Sequence, residues 1–410
     1  MPRRRRTAPD RAPRPDPTTD ARLITDPGQA AALYDEIRDA SIFALDTEFV
    51  SERTYQPELA LAQVATPGRV AILDPLVLPD LGPLWDLTAD PEIEVVMHAG
   101  EQESRFCWLE AGALPARVFD VQIAAGLLGH RYPLAYHSLV GTVLRRHAER
   151  GQTRSDWMHR PLSDRQVAYA AADVEHLLPL HEALHPLLED RGRLAWLDEE
   201  LARRDDQLHG ELTEDRWRRV AGAQRLSRRE LAAVRELSHW REDLARDRDV
   251  PRRRILRDDL LVAAALASPV DLEDLRRVRG MERLPHRDRP GLLDALQVAR
   301  ELPPDELPAK HRGDSGGPSQ ARMLALTLEA LLESICIERE VAPTLVGGAG
   351  DLRRLINWHL AGRDPKRPPR LLTGWRAQVC GDLLEDALAG RVRIRVGDPA
   401  STHPLVVEPA

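Results

Sequence analysis

The sequence predicts an α/β domain, built as a mixed sheet with helical faces, followed by two all-α modules. Short apolar runs typical of strands lie almost entirely before residue 200, whereas helical patterns without strand signals fill 205–390. A chain of 410 residues is long enough for two or three domains. Its composition, 42% hydrophobic and 30% charged, is that of a globular protein.

The predicted sheet lies within residues 21–200. Apolar runs at 42–49, 60–66 and 69–73 predict three neighbouring antiparallel strands, and Pro67-Gly68 marks the turn between the last two. Shorter runs predict two more strands, at 94–97 and 117–119. Helices are expected at 81–88, 101–112, 121–129, 136–145 and 163–189.

The rest of the chain reads as helical modules joined by polar segments. Residues 1–20 predict a disordered basic, proline-rich tail, 306–320 a linker and 393–410 a second tail, with a short strand or extended segment from 391. The first helical module is expected at 205–305 and the second at 321–392. Helices in the first are expected near 213–221, 227–246, 257–267, 271–277 and 290–300.

The lysine and cysteine content excludes several functions. Lys310 and Lys366 are the only lysines, and neither follows a glycine, so the chain has no Walker A motif and ATP-driven chemistry of that type is not expected. Cys107, Cys336 and Cys380 are odd in number and scattered, which argues against a disulfide framework or a cysteine zinc site. They fit a reducing compartment, and we expect a cytoplasmic protein.

Hydropathy and charge indicate the class of partner. No apolar segment is long enough to cross a bilayer, and the basic N-terminus is not followed by the apolar stretch of a signal peptide, so no membrane association is expected. The net charge is −8, but it is uneven: residues 21–200 are acidic, whereas 201–300 are dense in arginine. This asymmetry favours a polyanionic partner for the middle of the chain.

Asp46 and Glu48 form the first candidate site. They lie two residues apart at the end of the first apolar run, so both carboxylates project from one face of the strand. Like charges this close repel, and a divalent cation with oxygen ligands would hold them together. A strand end running into a solvated acidic loop is the alternative.

Three further segments extend this pair. Tyr169 and Asp173 share one face of a helix at i and i+4, His98 to Glu103 spans a strand end and a helix start, and Asp120 follows a later strand. Carboxylates from such separate elements could hold two divalent ions about 3.5–4 Å apart for in-line phosphoryl displacement. A tyrosine beside them could orient the attacking water.

Together these motifs resemble the ribonuclease D family, in the tyrosine branch of the DEDD 3′–5′ exonucleases. The resemblance rests on D-T-E-F at 46–49, H-A-G at 98–100, F-D at 119–120, R-S-D-W-x-x-R-P-L at 154–162 and Y-A-A-A-D at 169–173. Ala168 stands where the histidine branch would need a histidine. The middle block looks like an HRDC domain, and the last block, with L-I-N-W-H at 355–359 and G-W-R at 374–376, is similar to a second such module.

The resemblance implies a ribonuclease H-like exonuclease domain followed by two HRDC-type domains. It implies two divalent ions, Mg²⁺ or Mn²⁺, held by Asp46, Glu48, Glu103 and Asp173, with Tyr169 positioning the nucleophile. Its implied substrate is RNA with a single-stranded 3′ end, such as a tRNA precursor, cut to nucleoside 5′-monophosphates by a monomer.

One position departs from the family pattern. Glu103 stands where the family usually has aspartate, and its extra methylene shifts the carboxylate by about 1 Å. Mg²⁺ should tolerate that shift less well than Mn²⁺, because it demands near-ideal octahedral geometry. Glu101 falls on a different side of the helix, so Glu103 is the expected ligand; a weakened or inactive site is the competing interpretation.

Further candidates for substrate contact each have a structural alternative. The candidates are Phe49, His98, Asp120, Arg154, Arg160, Arg252, Arg253 and Arg254. Phe49 could wedge against the terminal base or lie in the core, and His98 could bind substrate or hydrogen-bond structurally. Asp120 could support the site or cap a helix. The arginines could meet phosphate, or pair with nearby acids such as Asp156, Asp164, Asp258 and Asp259.

We therefore expect a metal-dependent 3′–5′ exoribonuclease acting in tRNA 3′ maturation. A DNA 3′–5′ exonuclease would use the same chemistry on another substrate. An RNA-binding scaffold is the alternative of a different class, in which the Glu103 site has lost its metal affinity. A helicase is excluded by the missing Walker lysine.

Overall fold

The computed structural model describes residues 22–148, 155–213, 216–309 and 319–410. The first domain is built on one six-stranded sheet in the order β1-β4-β3-β2-β5-β6. Its strands are β1 (Arg22–Ile24), β2 (Ile42–Val50), β3 (Glu58–Ala65), β4 (Val70–Leu73), β5 (Glu94–Met97) and β6 (Val118–Asp120).

The strand pairing confirms the mixed sheet. β2, β3 and β4 are antiparallel neighbours, as the turn signal at Pro67-Gly68 predicts. β5 and β6 continue the sheet from β2 in parallel, and β1 pairs in parallel with β4 at the other edge. The pairing of β2 with β5 runs only from Ile42 to Ala44. The carboxyl-terminal half of β2 therefore extends past the end of β5.

Helices cover both faces of the sheet because the strands alternate apolar residues between two cores. The helices of this domain are α1 (Pro27–Ala40), α2 (Gly82–Thr88), α3 (Glu101–Ala111), α4 (Val121–Leu127), α5 (Tyr136–Val143), α6 (Asp164–Glu175), α7 (Leu177–Asp190) and α8 (Leu194–Thr213). α1 to α3 share one core with Phe43 and Leu45 of β2, and α4, α5 and α7 share the other with Ala44.

Three sequence expectations are corrected here. The helix expected at 163–189 is two helices, α6 and α7, divided at His176. The helix expected at 213–221 is a short 3₁₀ turn at Arg216–Arg219. α8 runs through the expected boundary between 200 and 205, because its apolar residues Leu197 and Leu201 pack into the core of the first domain.

A helical module with its own core follows. Its helices surround a cluster that includes Leu231, Leu261 and Leu292. They are α9 (Arg228–Asp247), α10 (Arg252–Ile255), α11 (Asp258–Ala267), α12 (Leu272–Arg277) and α13 (Arg289–Glu301), with 3₁₀ turns at Ala223–Arg225, Met281–Arg283 and His286–Asp288.

The C-terminal helices, in contrast, share a core with the first domain. Leu345 packs against Gly126 of α4, and the indole rings of Trp375 and Trp196 stack 5.4 Å apart. The elements are α14 (Ser319–Glu338), α15 (Pro343–Val346), α16 (Ala349–Leu360), a 3₁₀ turn (Arg370–Leu372), α17 (Gly374–Arg376), a π-helical turn (Ala377–Gly381) and α18 (Asp382–Leu388). Glu200 of α8, 2% exposed, accepts a 2.6 Å hydrogen bond from Arg376.

The segment expected as a tail at 393–410 is largely a hairpin. β7 (Val392–Val396) pairs antiparallel with β8 (Leu405–Pro409), and Ile394 and Val407 pack against the large shared core. The expected tail at 1–20 lies outside the described residues, as does most of the expected linker at 306–320. None of the helices in the described ranges combines the length and apolar character that crossing a bilayer requires.

Candidate active site

Asp46 and Glu48 lie on the part of β2 that extends past β5. They are separated by Thr47, so their side chains project from the same face, toward α6 and away from α3. α6 packs across β2, β3 and β4 on this face. The strand therefore presents both carboxylates to the helix that carries Tyr169 and Asp173.

A strained turn connects β5 to α3 and fixes where α3 begins. Ala99 has a φ of 57°, and a Cβ at Gly100 would lie 2.4 Å from Met97 Sδ, so glycine is required there. Asp120 accepts hydrogen bonds from the Ala99 and Gly100 backbone N–H groups at 3.3 and 3.2 Å. It also accepts from Arg204 Nη1 at 3.1 Å. Asp120 thereby holds the turn against α8.

Glu103 lies in the first turn of α3 and is 5% exposed. Its Oε1 accepts a 2.6 Å hydrogen bond from Thr47 Oγ1, which ties the helix to β2 between the two strand carboxylates. Burial raises the pKa of Glu103, and the Thr47 hydrogen bond opposes that rise.

α6 brings the last two residues to the site. A capping box between Ser163 and Gln166 starts the helix, because each side chain accepts a hydrogen bond from the other residue's backbone N–H, at 3.3 and 3.0 Å. The Tyr169 hydroxyl lies within hydrogen-bonding reach of Asp173, and its ring lies 5.8 Å from that of Trp157. Burial and the neighbouring carboxylates raise the pKa of Tyr169, so its hydroxyl stays protonated at neutral pH.

The four carboxylates lie close enough to perturb one another strongly. Burial raises the pKa of Asp46 well above its ordinary value, and Glu103, Asp173 and Glu48 raise it further. Burial, Asp173 and Glu103 raise the pKa of Glu48 to about 8, and burial raises that of Asp173 to about 7. Four acidic groups with such pKa values form a site that favours bound positive charge.

The donor set fits a hard divalent cation. All four groups offer carboxylate oxygens, the ligands that Mg²⁺ and Mn²⁺ prefer. Across the described ranges no three His, Cys, Asp or Glu side chains already converge as a ready ligand cluster. At Glu103 one reason is that Oε1 already accepts a hydrogen bond from Thr47. The donor chemistry of these residues therefore suits a divalent cation.

Three residues near the site were not among the predicted site residues. Thr47 fixes Glu103, as described above. The Tyr136 hydroxyl accepts from the His176 N–H at 3.1 Å, and Asp173 and Asp46 add to the burial that raises its pKa. Gln63 lies opposite Asp46 on β3, is fully buried, and has no hydrogen-bond partner for its amide among the described residues. Only the strand register, which a single sequence does not fix, could have identified Gln63.

Phe49 and His98 border the site. The Phe49 ring contacts that of Phe106 edge-on at 5.7 Å while remaining half-exposed. His98 Nε2 lies 2.9 Å from the Leu134 carbonyl oxygen and 3.3 Å from Gln122 Nε2. His98 therefore has a structural hydrogen bond, and Phe49 keeps a free surface beside Glu48.

Two expected substrate contacts are corrected. Asp120 is 1% exposed and caps α4 by accepting from the Gln122 and Ile123 N–H groups, so it supports the site without reaching substrate. Arg160 pairs with Asp74 at 2.6 and 2.8 Å and also donates to three backbone carbonyls, so its guanidinium is committed to the fold. Arg160 uses neither Asp156 nor Asp164, the two acids expected as its alternative partners.

The remaining arginine candidates are Arg154 and the run from Arg252 to Arg254. Arg154 lies outside the described residues. Arg252, Arg253 and Arg254 form α10 in the helical module, where Arg252 pairs with Glu242 at 3.2 Å and Arg253 and Arg254 are exposed.

Comparison with known families and structures agrees with this fold. A family model described as a 3′–5′ exonuclease matches residues 21–189, and one described as an HRDC domain matches 230–287. The crystal structure of Escherichia coli RNase D, described as an exoribonuclease involved in structured RNA processing, has a TM-score of 0.77 at 29% identity, covering 90% of this chain and 99% of that one.

Curated relatives give the same result along nearly the whole chain. Ribonuclease D of Gluconacetobacter diazotrophicus is 38% identical over 93% of this chain and 95% of its own. Ribonuclease D of Escherichia coli K12 is 31% identical over 89% of this chain and 98% of its own.

Proposed function

The chain belongs to the ribonuclease D family and is a 3′–5′ exoribonuclease, and from this premise we propose a two-metal hydrolysis of structured-RNA 3′ ends, with tRNA precursors as substrates. The observation that carries the mechanism is that Asp46, Glu48, Glu103 and Asp173 come from three separate elements yet lie close enough for Asp173 and Glu103 to raise the pKa values of both Asp46 and Glu48. The products would be nucleoside 5′-monophosphates.

The four carboxylates would hold two divalent cations, Mg²⁺ or Mn²⁺. When bound, such ions lower the pKa of water and neutralise charge on the scissile phosphate. The assignment is supported by the donor chemistry: clustered anionic oxygens with raised pKa values become more stable when a cation is present. Family membership supports metal dependence in general.

The chain's own residues would position the reactants. Tyr169 keeps its proton and lies beside Asp173, so its hydroxyl can hold the attacking water by a hydrogen bond. Phe49 follows Glu48 on β2 and keeps a half-exposed ring that can stack on the terminal base. His98, which is hydrogen-bonded to the Leu134 carbonyl, would hold the segment before α5 against the end of β5.

A stepwise assay on a tRNA precursor with extra 3′ nucleotides tests the proposal. The wild-type chain with Mg²⁺ or Mn²⁺ should shorten 5′-labelled RNA one nucleotide at a time, and a 3′-labelled copy should release a nucleoside 5′-monophosphate. Asp46→Asn should abolish both signals, and Tyr169→Phe should slow them by about a hundredfold or more. RNA left intact by the wild-type chain with both metals would refute the proposal.

Two controls separate the alternatives. RNA and DNA oligonucleotides of one sequence distinguish an exoribonuclease from a DNA exonuclease, because only RNA carries the 2′-OH. Metal titration calorimetry tests for a scaffold, which would show no tight divalent site. We also propose a monomer in the cytoplasm; the three cysteines are free and buried, which fits a reducing compartment.

A further inference from the structure

Gln63 is a polar residue enclosed in the sheet directly beside the site carboxylates. The register of β2 and β3 places it opposite Asp46, and its side chain is 0% exposed. Directly opposite residues of an antiparallel pair project from the same face, with Cβ atoms about 4.5–5.5 Å apart. The Gln63 amide therefore lies on the same face of the sheet as the Asp46 carboxylate, the face that α6 covers.

The sheet around Gln63 is otherwise apolar on this face. Leu61 lies two residues before it on β3, and Ile72 lies opposite it on β4. Leu61 and Ile72 belong to the same apolar cluster as Ala170 of α6. Of the two residues that flank Gln63 across the sheet, Asp46 is the polar one. The strand pairing therefore offers Asp46 as the partner of the amide.

Neither polar atom of the Gln63 amide has a hydrogen-bond partner among the described residues. Burying an amide costs free energy unless its N–H and C=O groups find partners. An apolar side chain of similar length would fill the same space without this cost. A glutamine at this position is therefore explained by a partner that it meets when the site holds a cation.

The chemistry of a metal-binding carboxylate supplies a use for such an amide. A carboxylate that holds a cation also has lone pairs directed away from it, and a hydrogen bond to these fixes its orientation. Removing such a partner typically costs about 10–100-fold in metal affinity or activity. An amide N–H suits this task because it donates without carrying charge. A lysine or arginine would instead neutralise the carboxylate and weaken its attraction for the cation.

We propose that Gln63 is a positioning residue for Asp46: its amide N–H donates to the Asp46 carboxylate and holds it in the orientation that binds a divalent cation. The inference deepens the proposed function and rests on it, since it assumes the metal site. Thr47 is placed to do the same for Glu103, because its Oγ1 donates to Glu103 Oε1 at 2.6 Å. Two of the four carboxylates would thus each have a neutral donor on β2 or β3.

The first test is the Mn²⁺ affinity of the full chain without RNA, measured from the electron paramagnetic resonance signal of the free ion. Gln63→Met keeps the length of the side chain and removes its donor, so it should weaken Mn²⁺ binding by about 10- to 100-fold. An affinity equal to that of the wild type would overturn the proposal.

Leu61→Met is the matched control for packing. Leu61 is as buried as Gln63 and lies opposite Glu48, in the next pair along the same face. Exchanging one apolar side chain for another of similar volume should leave Mn²⁺ affinity unchanged. Equal losses in Leu61→Met and Gln63→Met would overturn the proposal, because disturbed packing beside the site would then explain both.

Urea unfolding separates positioning from a structural role. In EDTA, Gln63→Met should be at least as stable as the wild type, because it removes a buried amide that has no partner among the described residues. At a Mn²⁺ concentration well above the dissociation constant of the wild type, the wild type should be the more stable of the two. A structural hydrogen bond, to a buried water for example, predicts lower stability of Gln63→Met in EDTA, and that result would overturn the proposal.

Double variants test whether Gln63 acts through Asp46. In an Asp46→Asn background, Gln63→Met should change Mn²⁺ affinity by less than about twofold, since no carboxylate remains there for the amide to orient. In a Glu48→Gln background the loss should persist. The opposite pattern would assign the amide to another ligand and overturn the proposal.

Failure of this inference is distinguishable from failure of the proposed function. If the wild type binds Mn²⁺ and shortens RNA while Gln63→Met binds Mn²⁺ equally well, the role of Gln63 fails alone. If the wild type binds no Mn²⁺, the proposed metal site fails and the role of Gln63 fails with it.

Discussion

Burial of the Asp173 carboxylate in the active site should lower the free energy of unfolding, and the Asp173→Asn variant should reveal by how much. A folded-state pKa of about 7, against 3.8 for the exposed group, means that the folded chain keeps the Asp173 proton where the unfolded chain has released it. The contribution of Asp173 to the stability of the metal-free protein is therefore fully present below the unfolded pKa and is lost as the pH rises through about 7. Asparagine fills the same space without a titrating charge.

The magnitude follows from the two pKa values. Compared with a neutral side chain, Asp173 lowers the free energy of unfolding by about 2 kcal/mol at pH 5 and about 4 kcal/mol at pH 8. Asp173→Asn should thus unfold at higher urea than the wild type at pH 8 in EDTA, and the advantage should be smaller at pH 5. Saturating Mn²⁺ should make the wild type more stable than Asp173→Asn, because only the wild type keeps all four carboxylates and is stabilised when its folded state binds the ion.

The assay is urea titration followed by tryptophan fluorescence, at both pH values, with EDTA and with Mn²⁺. An exposed carboxylate away from the site, Asp243, supplies the control, since Asp243→Asn should change stability little at either pH. Equal unfolding free energies of wild type and Asp173→Asn at pH 8 in EDTA would refute the reasoning, because Asp173 would then carry no buried charge in the folded protein.

Three further predictions follow from the contacts. Asp120→Ala should lower the free energy of unfolding by about 3–5 kcal/mol, because a largely buried Arg204 guanidinium then keeps only its longer, 3.4 Å contact with Asp205, and a thermal unfolding midpoint equal to that of the wild type would contradict this. Arg376→Met should lower the free energy of unfolding, measured in urea, by about 3 kcal/mol, because the buried Glu200 carboxylate loses the ion pair with Arg376. The double variant Arg376→Met with Glu200→Leu should recover most of that loss. Glu103→Asp should raise kcat/KM with Mg²⁺ more than with Mn²⁺; no change with either metal would indicate that Glu103 is not a ligand.

Local patterns predicted the parts of the fold whose causes are local. The Pro67-Gly68 turn and the apolar runs around it indicated the antiparallel strands, and two-residue alternation placed Asp46 and Glu48 on one face. β1 was not predicted because three strand residues give no periodic signal, and its place in the sheet is set by pairing with β4, more than 40 residues away. α1 was also not predicted, although the Asp26 cap and Pro27 mark its start.

Distant partners explain most of the errors at the site. Arg160 was expected to contact phosphate or to pair with Asp156 or Asp164, but its partner Asp74 lies 86 residues away on the chain. Sequence spacing can suggest that an arginine needs an acid, yet it cannot say which one when the partners meet only through the sheet. The same limit applies to Gln63, whose position opposite Asp46 depends on the register of β2 and β3.

The least predictable feature is how the far end of the chain supports Glu103. The C-terminal helices hold α8 through Glu200 and Arg376, and α8 holds Asp120 through Arg204. Asp120 in turn fixes the turn at Ala99 and Gly100 from which α3 starts, and the first turn of α3 carries Glu103. Each step is a buried or half-buried hydrogen bond to a charged group, which is costly to break and directional. Because these contacts run in series, the position of the Glu103 carboxylate depends on packing more than 270 residues away as well as on its own motif.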